Sequence, residues 1–259
     1  MSFKLFCKYV LKFLFFVIGF YVVSSFVAFL LKDDANAYSR VMMHEFYNQE
    51  KIDILSCGAS HTSHGMNPNV ANEITGKKTF CCGTASQKID GTYAILQEAV
   101  NRYKLEKVLV ELDFGIADKP GFKERTGLAS EYIVSSYLRN PKIKLEYLLN
   151  CSAPKFYVNS FLLPIGKYKM LDLNPKKRIE KLKSIFSGAY FRYEYYSDDS
   201  EYAGKGCVLN YDVVENGSFQ NTHPEPPINV GGIPKDYTDT LKKIAELCER
   251  NCQMLWIEV

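Results

Sequence analysis

Ser60 is the residue best placed by its neighbours to do chemistry. It stands in Ile52-Asp-Ile-Leu-Ser-Cys-Gly58-Ala59-Ser60-His61, where an apolar strand pattern runs into a small-residue turn. A serine hydroxyl is a weak nucleophile and needs a base to activate it. A strand-to-helix turn projects the hydroxyl from the backbone and gathers amide N–H groups where an oxyanion would form. Gly58 permits the tight turn, and Ala59 leaves room for a substrate. The plainer reading makes Ser60 an N-cap, a place serine favours at helix starts. Further candidates follow along the chain. His61 adjoins the serine, and His64 lies one helical turn on, on the same face. Gly83 ends a second apolar run. Glu111 and Asp113 end a third, where carboxylates either hydrogen-bond the first turn or meet solvent. His44 falls on a helix as a solvent-facing residue, His223 falls in a long insertion, and Gln87 reads as a helix-start residue.

The elements that would position these residues alternate. Strands are expected over Ile52–Cys57, Lys78–Cys82, Lys107–Asp113 and Gln253–Val259, and helices over Asn67–Ile74, Gln87–Tyr103 and Asp236–Asn251. Ile89, Tyr93, Leu96 and Val100 recur at helical spacing in the second of these helices. Such alternation predicts an α/β fold, a parallel sheet with helices on both faces. Ligands of these sheets lie beyond the carboxyl ends of the strands. Gly58–Ser60, Gly83–Ser86 and Asp113–Gly115 would converge there. Between about 120 and 234 the pattern gives way to a long, mostly helical insertion, with pieces at Leu128–Leu138, Lys142–Leu149 and Pro175–Phe186, a Tyr-rich stretch from Tyr190 to Tyr202, and a Gly/Pro-punctuated return.

The N-terminus bounds where the chain works. Phe13 to Leu31 carries no charge, and at ~1.5 Å per residue it nearly crosses a ~30 Å hydrocarbon core. Lys4, Lys8 and Lys12 precede it, so the N-terminus is expected in the cytoplasm and the bulk of the chain outside, as a single-pass protein of the cell membrane. A cleaved signal peptide is the rival reading, from the small-x-small Ala35-Asn-Ala37, but the apolar run exceeds a usual ~7–15-residue h-region. The expected organisation is a cytoplasmic tail and membrane helix over 1–34, a stalk helix over 35–50, and an α/β domain over 51–259.

Composition narrows the classes. Apolar residues at 47% and charged residues at 24% suit a sizeable core. A net charge of +3 is too mild to argue for nucleic acid. Eight cysteines show no zinc-ribbon spacing. Cys57, Cys81 and Cys82 read as small core residues, and Cys248 and Cys252 share a helix face. Outside the cytoplasm, Cys151 and Cys207 are the best candidates for disulfides. No metal cluster, P-loop or dinucleotide fingerprint occurs, so no metal or cofactor is expected.

Gly58-Ala-Ser60-His-Thr-Ser-His-Gly65-Met-Asn-Pro68, then Phe80-Cys-Cys-Gly83-Thr-Ala-Ser-Gln87 and Val108-Leu-Val-Glu-Leu112, resembles the membrane-anchored branch of the SGNH/GDSL hydrolase superfamily. The layout is similar to proteins of D-alanine transfer to lipoteichoic acid and of polysaccharide O-acetyl modification. The resemblance covers about Ile52 to Leu112 and the returning helix–strand unit. It implies a flavodoxin-like (SGNH) sheet, Ser60 as nucleophile, and an oxyanion hole from the amides of Ser60 and Gly83. Gly58, His61, His64, Glu111 and Asp113 are the candidate pocket residues. The implied activity is a serine esterase or O-acyltransferase on acyl esters of cell-surface polysaccharide or wall polymer. The implied partners are the bilayer, a glycan or wall-polymer substrate and a membrane-bound acyltransferase. The family's third-block Asn has no match, and no Asp-x-x-His occurs in the chain. The catalytic base is therefore expected beyond Val259, where a doubly wound domain would continue. The alternative is a non-catalytic, membrane-anchored accessory protein of a polysaccharide-modification system.

Overall fold

A computed structural model of the chain describes residues 3–32, 34–112, 120–163, 174–195, 197–211 and 232–258, with backbone alone for 254–258. Its contacts divide the chain into two units: Met1–Ala35 with Pro154–Arg192, and Asn36–Ala153 with Tyr193–Val259. The stretch expected as one insertion is thus shared between them.

The first unit is built on helix α1 (Phe3–Leu31). Its 29 residues make it about 44 Å long at ~1.5 Å per residue, so it is long and apolar enough to cross a membrane. Its phenylalanines and all but one of its valines are exposed. A second helix of this unit covers Pro175–Phe186, as the sequence predicts.

The second unit holds the sheet. Its strands are β1 (Ile54–Gly58), β2 (Thr79–Gly83), β3 (Lys107–Leu112) and β6 (Gln253–Glu258). They form a four-stranded sheet in the order β2-β1-β3-β6. All pairings are parallel, with Leu55 between Phe80 and Val108 and with Val110 beside Trp256. Runs of Val, Ile, Leu and Cys in β1 to β3 suit strands covered on both faces. Side chains alternate across β2, so Phe80 and Cys82 face one way and Cys81 the other. On the first face lies α2 (Tyr38–Asn48), whose Phe46 ring sits 5.8 Å from Phe80. The helix expected as a stalk therefore packs, with Met42 and Phe46 fully buried. On the second face, Cys81 Sγ meets the Met66 carbonyl at 3.8 Å. Met66 joins α3 (Ser60–Gly65) to α4 (Pro68–Thr75).

Helix α4 starts as its sequence dictates. The Asn67 side chain accepts from the Asn69 and Val70 amides, Pro68 fills the first turn, and Gly76 closes the helix at φ +69°. Helices α5 (Ile89–Arg102) and α9 (Lys235–Glu249) pack on one another, each within two residues of its expected bounds. The expected helical pieces after residue 120 are α6 (Ala129–Tyr137) and α7 (Pro141–Cys151). Through Glu131, α6 is tied to α5 by a buried ion cluster. Arg125 donates to both Asp90 oxygens at 2.7 and 3.0 Å, and Glu131 receives Arg125 at 3.0 Å and Lys88 at 2.7 Å.

One element was not expected. The Tyr-rich stretch and glycine loop form an antiparallel hairpin, β4 (Ser200–Gly204) and β5 (Cys207–Asn210). Its turn covers the outer edge of β2, where the Cys81 amide donates to the Lys205 carbonyl at 2.9 Å. A Cβ at Gly206, whose φ is +81°, would stand 1.7 Å from the Cys81 carbonyl oxygen, so only glycine fits. Glu45 on α2 holds the hairpin, accepting from the Tyr202 hydroxyl at 2.6 Å and the Lys205 amide at 2.8 Å. The expected disulfide candidates are free thiols. Cys151 and Cys207 are buried, and none of the eight cysteines is in a disulfide.

Candidate functional site at the carboxyl ends of the strands

From β1 the chain crosses to β2 on one side and then to β3 on the other. The carboxyl end of β1 is thus where the strand order reverses, the place where parallel sheets open a crevice. The β1–α3 turn, Ala59 and Ser60, sits there. What shapes it is Glu111, near the end of β3. This carboxylate is buried, and three donors converge on it. The Ala59 amide and the Thr62 hydroxyl donate to Oε2, each at 2.7 Å, and His61 Nδ1 lies 3.0 Å from Oε1. Glu111 therefore binds the first turn and is not a solvated strand end.

Gly58 is the condition for this contact. A Cβ there would stand 2.1 Å from Glu111 Oε2 and 2.3 Å from Thr62 Oγ1. Gly83 plays the same part on the other side. A Cβ at 83 would lie 2.3 Å from the Ala59 carbonyl oxygen and 3.1 Å from the Ser63 amide nitrogen. The glycines ending β1 and β2 are neighbours in register, and both let the turn settle onto the sheet edge. Ser63, fully buried, bonds the Ser60 carbonyl at 3.1 Å and the Gly83 carbonyl at 3.4 Å.

Ser60 itself is half-buried, and among the described residues its hydroxyl has no hydrogen-bond partner. The Ala59 position before the helix makes no side-chain cap, so Ser60 is not the N-cap of α3. His64 turns back to the same residue, its Nδ1 2.7 Å from the Ser60 carbonyl and not from the hydroxyl. His61 keeps 55% of its side chain exposed beyond its contact with Glu111. Against a carboxylate acceptor Nδ1 carries the hydrogen, and Nε2 is left as a lone-pair acceptor. No hydrogen bond joins the Ser60 hydroxyl to either ring.

The β2–α5 loop completes this edge. Thr84 donates to Gln87 Oε1 from its amide at 3.2 Å and its hydroxyl at 3.0 Å, and Gln87 Nε2 donates to Thr92 at 3.0 Å. Gln87 is thus a buried loop brace two residues before the helix begins. Between them Ser86 is exposed at φ +52°, a left-handed conformation unusual for serine. A cavity of about 20 Å³, room for about one water, lies among Gly58, Ala59, Gln87, Glu111 and Tyr237.

The remaining candidates divide. Asp113, Gly115 and His223 lie outside the described residues. His44 is half-buried and stacks on Tyr193, with ring centroids 3.5 Å apart, so it belongs to packing in place of open solvent. Burial and nearby Arg139 and Arg40 lower its pKa. Thr62 and Thr84 were missed by the sequence reading. The only signal for the latter was the Thr-x-x-Gln spacing, a capping-box pattern here turned inward. Among the described residues no group of His, Cys, Asp and Glu could hold a metal ion. No protein-family model, curated protein or solved structure matches the chain.

Proposed function

We propose that the chain is a membrane-anchored, extracytoplasmic serine esterase or O-acyltransferase acting on acyl esters of cell-surface polysaccharide or wall polymer. One observation carries this reading: an unpartnered Ser60 hydroxyl, next in sequence to a His61 ring that Glu111 holds by Nδ1. The order β2-β1-β3-β6 supports it, since it agrees with four neighbouring positions of the 2-1-3-4-5 order of flavodoxin-like sheets. The apolar α1 behind a Lys-rich start supports the anchoring and the orientation.

The chemistry follows from the residues. Ser60 Oγ attacks the acyl carbonyl carbon while its proton passes to His61 Nε2, directly or over one water. Glu111 keeps the ring in the tautomer that can accept, and it stabilises the imidazolium that forms. The amides of Ser60 and Gly83 serve the oxyanion. Collapse breaks the ester C–O bond, and the departing alcohol oxygen takes the proton from His61. Water or a sugar hydroxyl then attacks the acyl-serine and gives its proton to His61; the acyl C–Oγ bond breaks, and Ser60 Oγ takes the proton back from His61.

The test is hydrolysis of p-nitrophenyl acetate by the detergent-solubilised chain. Activity lost in Ser60→Ala with an unchanged thermal transition supports the reading. Equal activity in both removes Ser60. The missing bond between Ser60 and any base favours a second reading, the non-catalytic anchored accessory protein. An inert parent chain that still binds polysaccharide would support that one.

A further inference from the structure

Helix α8 (Pro175–Phe186) packs on the carboxyl-terminal end of α1. Lys181 is almost wholly buried and donates to the Phe29 carbonyl at 2.6 Å, the Lys32 carbonyl at 2.7 Å and Asp34 at 2.6 Å. Arg178 donates to the Leu30 carbonyl at 3.0 Å. Two cations thus satisfy backbone oxygens that the end of a helix leaves open, at its negative pole. Tyr190, in the turn after α8, seals the junction edge-on to Phe29 at 5.7 Å and bonds Asp34 at 3.2 Å. These contacts fix α8 at the level where α1 would leave a bilayer.

At roughly 100° per residue, the faces of α8 sort cleanly. Arg178 and Lys181 reach α1, and Ile185 falls on the same arc. The adjoining arc carries Ile179, Leu182 and Phe186, exposed by 53%, 36% and 88%. Lys176, Glu180 and Lys183 occupy the far side and are exposed. The helix holds five basic residues and one acidic one. Phe191, just beyond, is 58% exposed. An apolar stripe on a helix packed against the end of α1, with lysines at its edge, matches an interfacial helix on anionic lipid.

We infer that α8 is a membrane foot: it lies in the lipid interface at the carboxyl-terminal end of α1, with Ile179, Leu182 and Phe186 in the acyl boundary and its lysines among anionic headgroups. This rests on α1 crossing the bilayer. The foot gives the anchor a second attachment and fixes the direction in which the chain leaves the membrane.

Single tryptophans read the depth, because the parent chain has only Trp256 to subtract. Full chain carrying Leu182→Trp, Glu180→Trp or Val22→Trp is reconstituted in phosphatidylcholine/phosphatidylglycerol vesicles. The lipids are brominated either near the headgroup or near the methyl end. Leu182→Trp should emit blue-shifted light, quenched more by the headgroup-proximal bromines. Val22→Trp should be quenched more by the methyl-end bromines, and Glu180→Trp by neither. Water-like, unquenched emission from Leu182→Trp beside a quenched Val22→Trp overturns the foot alone. An unquenched Val22→Trp overturns the membrane-spanning reading as well. A blue shift at Leu182→Trp without quenching assigns the stripe to another protein surface and also overturns the foot.

Discussion

Glu111→Gln separates the chemistry of the β1–α3 turn from its stability. In the parent, Oε2 accepts the Ala59 amide and the Thr62 hydroxyl at 2.7 Å each, and Oε1 accepts from His61 Nδ1 at 3.0 Å. Glutamine has the same shape but one acceptor oxygen. The two donors facing Oε2 claim that oxygen, because an NH2 group there would oppose an N–H and an O–H. The NH2 group then faces His61, so Nδ1 must accept and Nε2 must carry the hydrogen. That ring cannot take a proton from Ser60. Two hydrogen bonds lose their charge, each a drop from about 1.5–3 to about 0.5–1.5 kcal/mol, partly offset by burying a neutral group. The net cost should be about 1–2 kcal/mol. The rate should fall much further, by about 10²–10⁴, the usual contribution of a general base. Ester hydrolysis and a thermal melt on the same preparation measure both. Parent-like hydrolysis in a folded Glu111→Gln chain would refute the assignment of His61 as base. Glu111→Ala is the poorer probe. It leaves both donors unpaired, at about 1–3 kcal/mol each, and unfolding would mask the chemistry.

Other consequences are independent of that one. Gly83→Ala places a Cβ 2.3 Å from the backbone oxygen of Ala59, so it should cost about 1–3 kcal/mol and shift the Ser60 turn. Lower stability together with lower activity is the expected result of melting and ester assays. Arg125→Ala strands the buried carboxylate of Asp90 and leaves Glu131 to Lys88 alone, and it should cost about 3–5 kcal/mol in chemical denaturation. Burial pushes the Cys151 thiol up from 9.0 to about 12, so the folded chain keeps it neutral while the unfolded chain ionises it above the ordinary value. Stability should therefore be complete below pH 9 and fall from there toward about 12, by up to about 1.4 kcal/mol per pH unit for this thiol. Iodoacetamide should spare Cys151 in the folded chain and alkylate it after denaturation.

Much of the frame was legible in the residues. Val108-Leu-Val and Phe80-Cys-Cys are apolar runs too short for helices, and they became β3 and β2 with ends shifted by a residue or so. Ile89, Leu96 and their neighbours showed α5 by period alone. The hairpin at Ser200–Asn210 was hidden for a physical reason. Its turn depends on Lys205 and Gly206 in left-handed conformations against a β2 edge far away in sequence, and no local pattern reports that edge. Glu111 was hidden in the same way. A carboxylate near a strand end looks solvated until Gly58, Thr62 and the Ala59 amide close on it, and those partners lie about fifty positions earlier. The helix expected as a stalk over 35–50 is packed along Tyr38–Asn48, which its sequence alone does not report. The burial of Met42, Met43, Phe46 and Tyr47 decides where that helix goes.

Adduct mapping tests the central claim most directly. The full chain in detergent is treated with a fluorophosphonate, digested, and sequenced by mass spectrometry. The phosphonyl group should sit on Ser60, and it should be absent from Ser60→Ala and much slower to appear in Glu111→Gln. An unmodified Ser60 in folded protein, or an adduct carried by another serine, would contradict it.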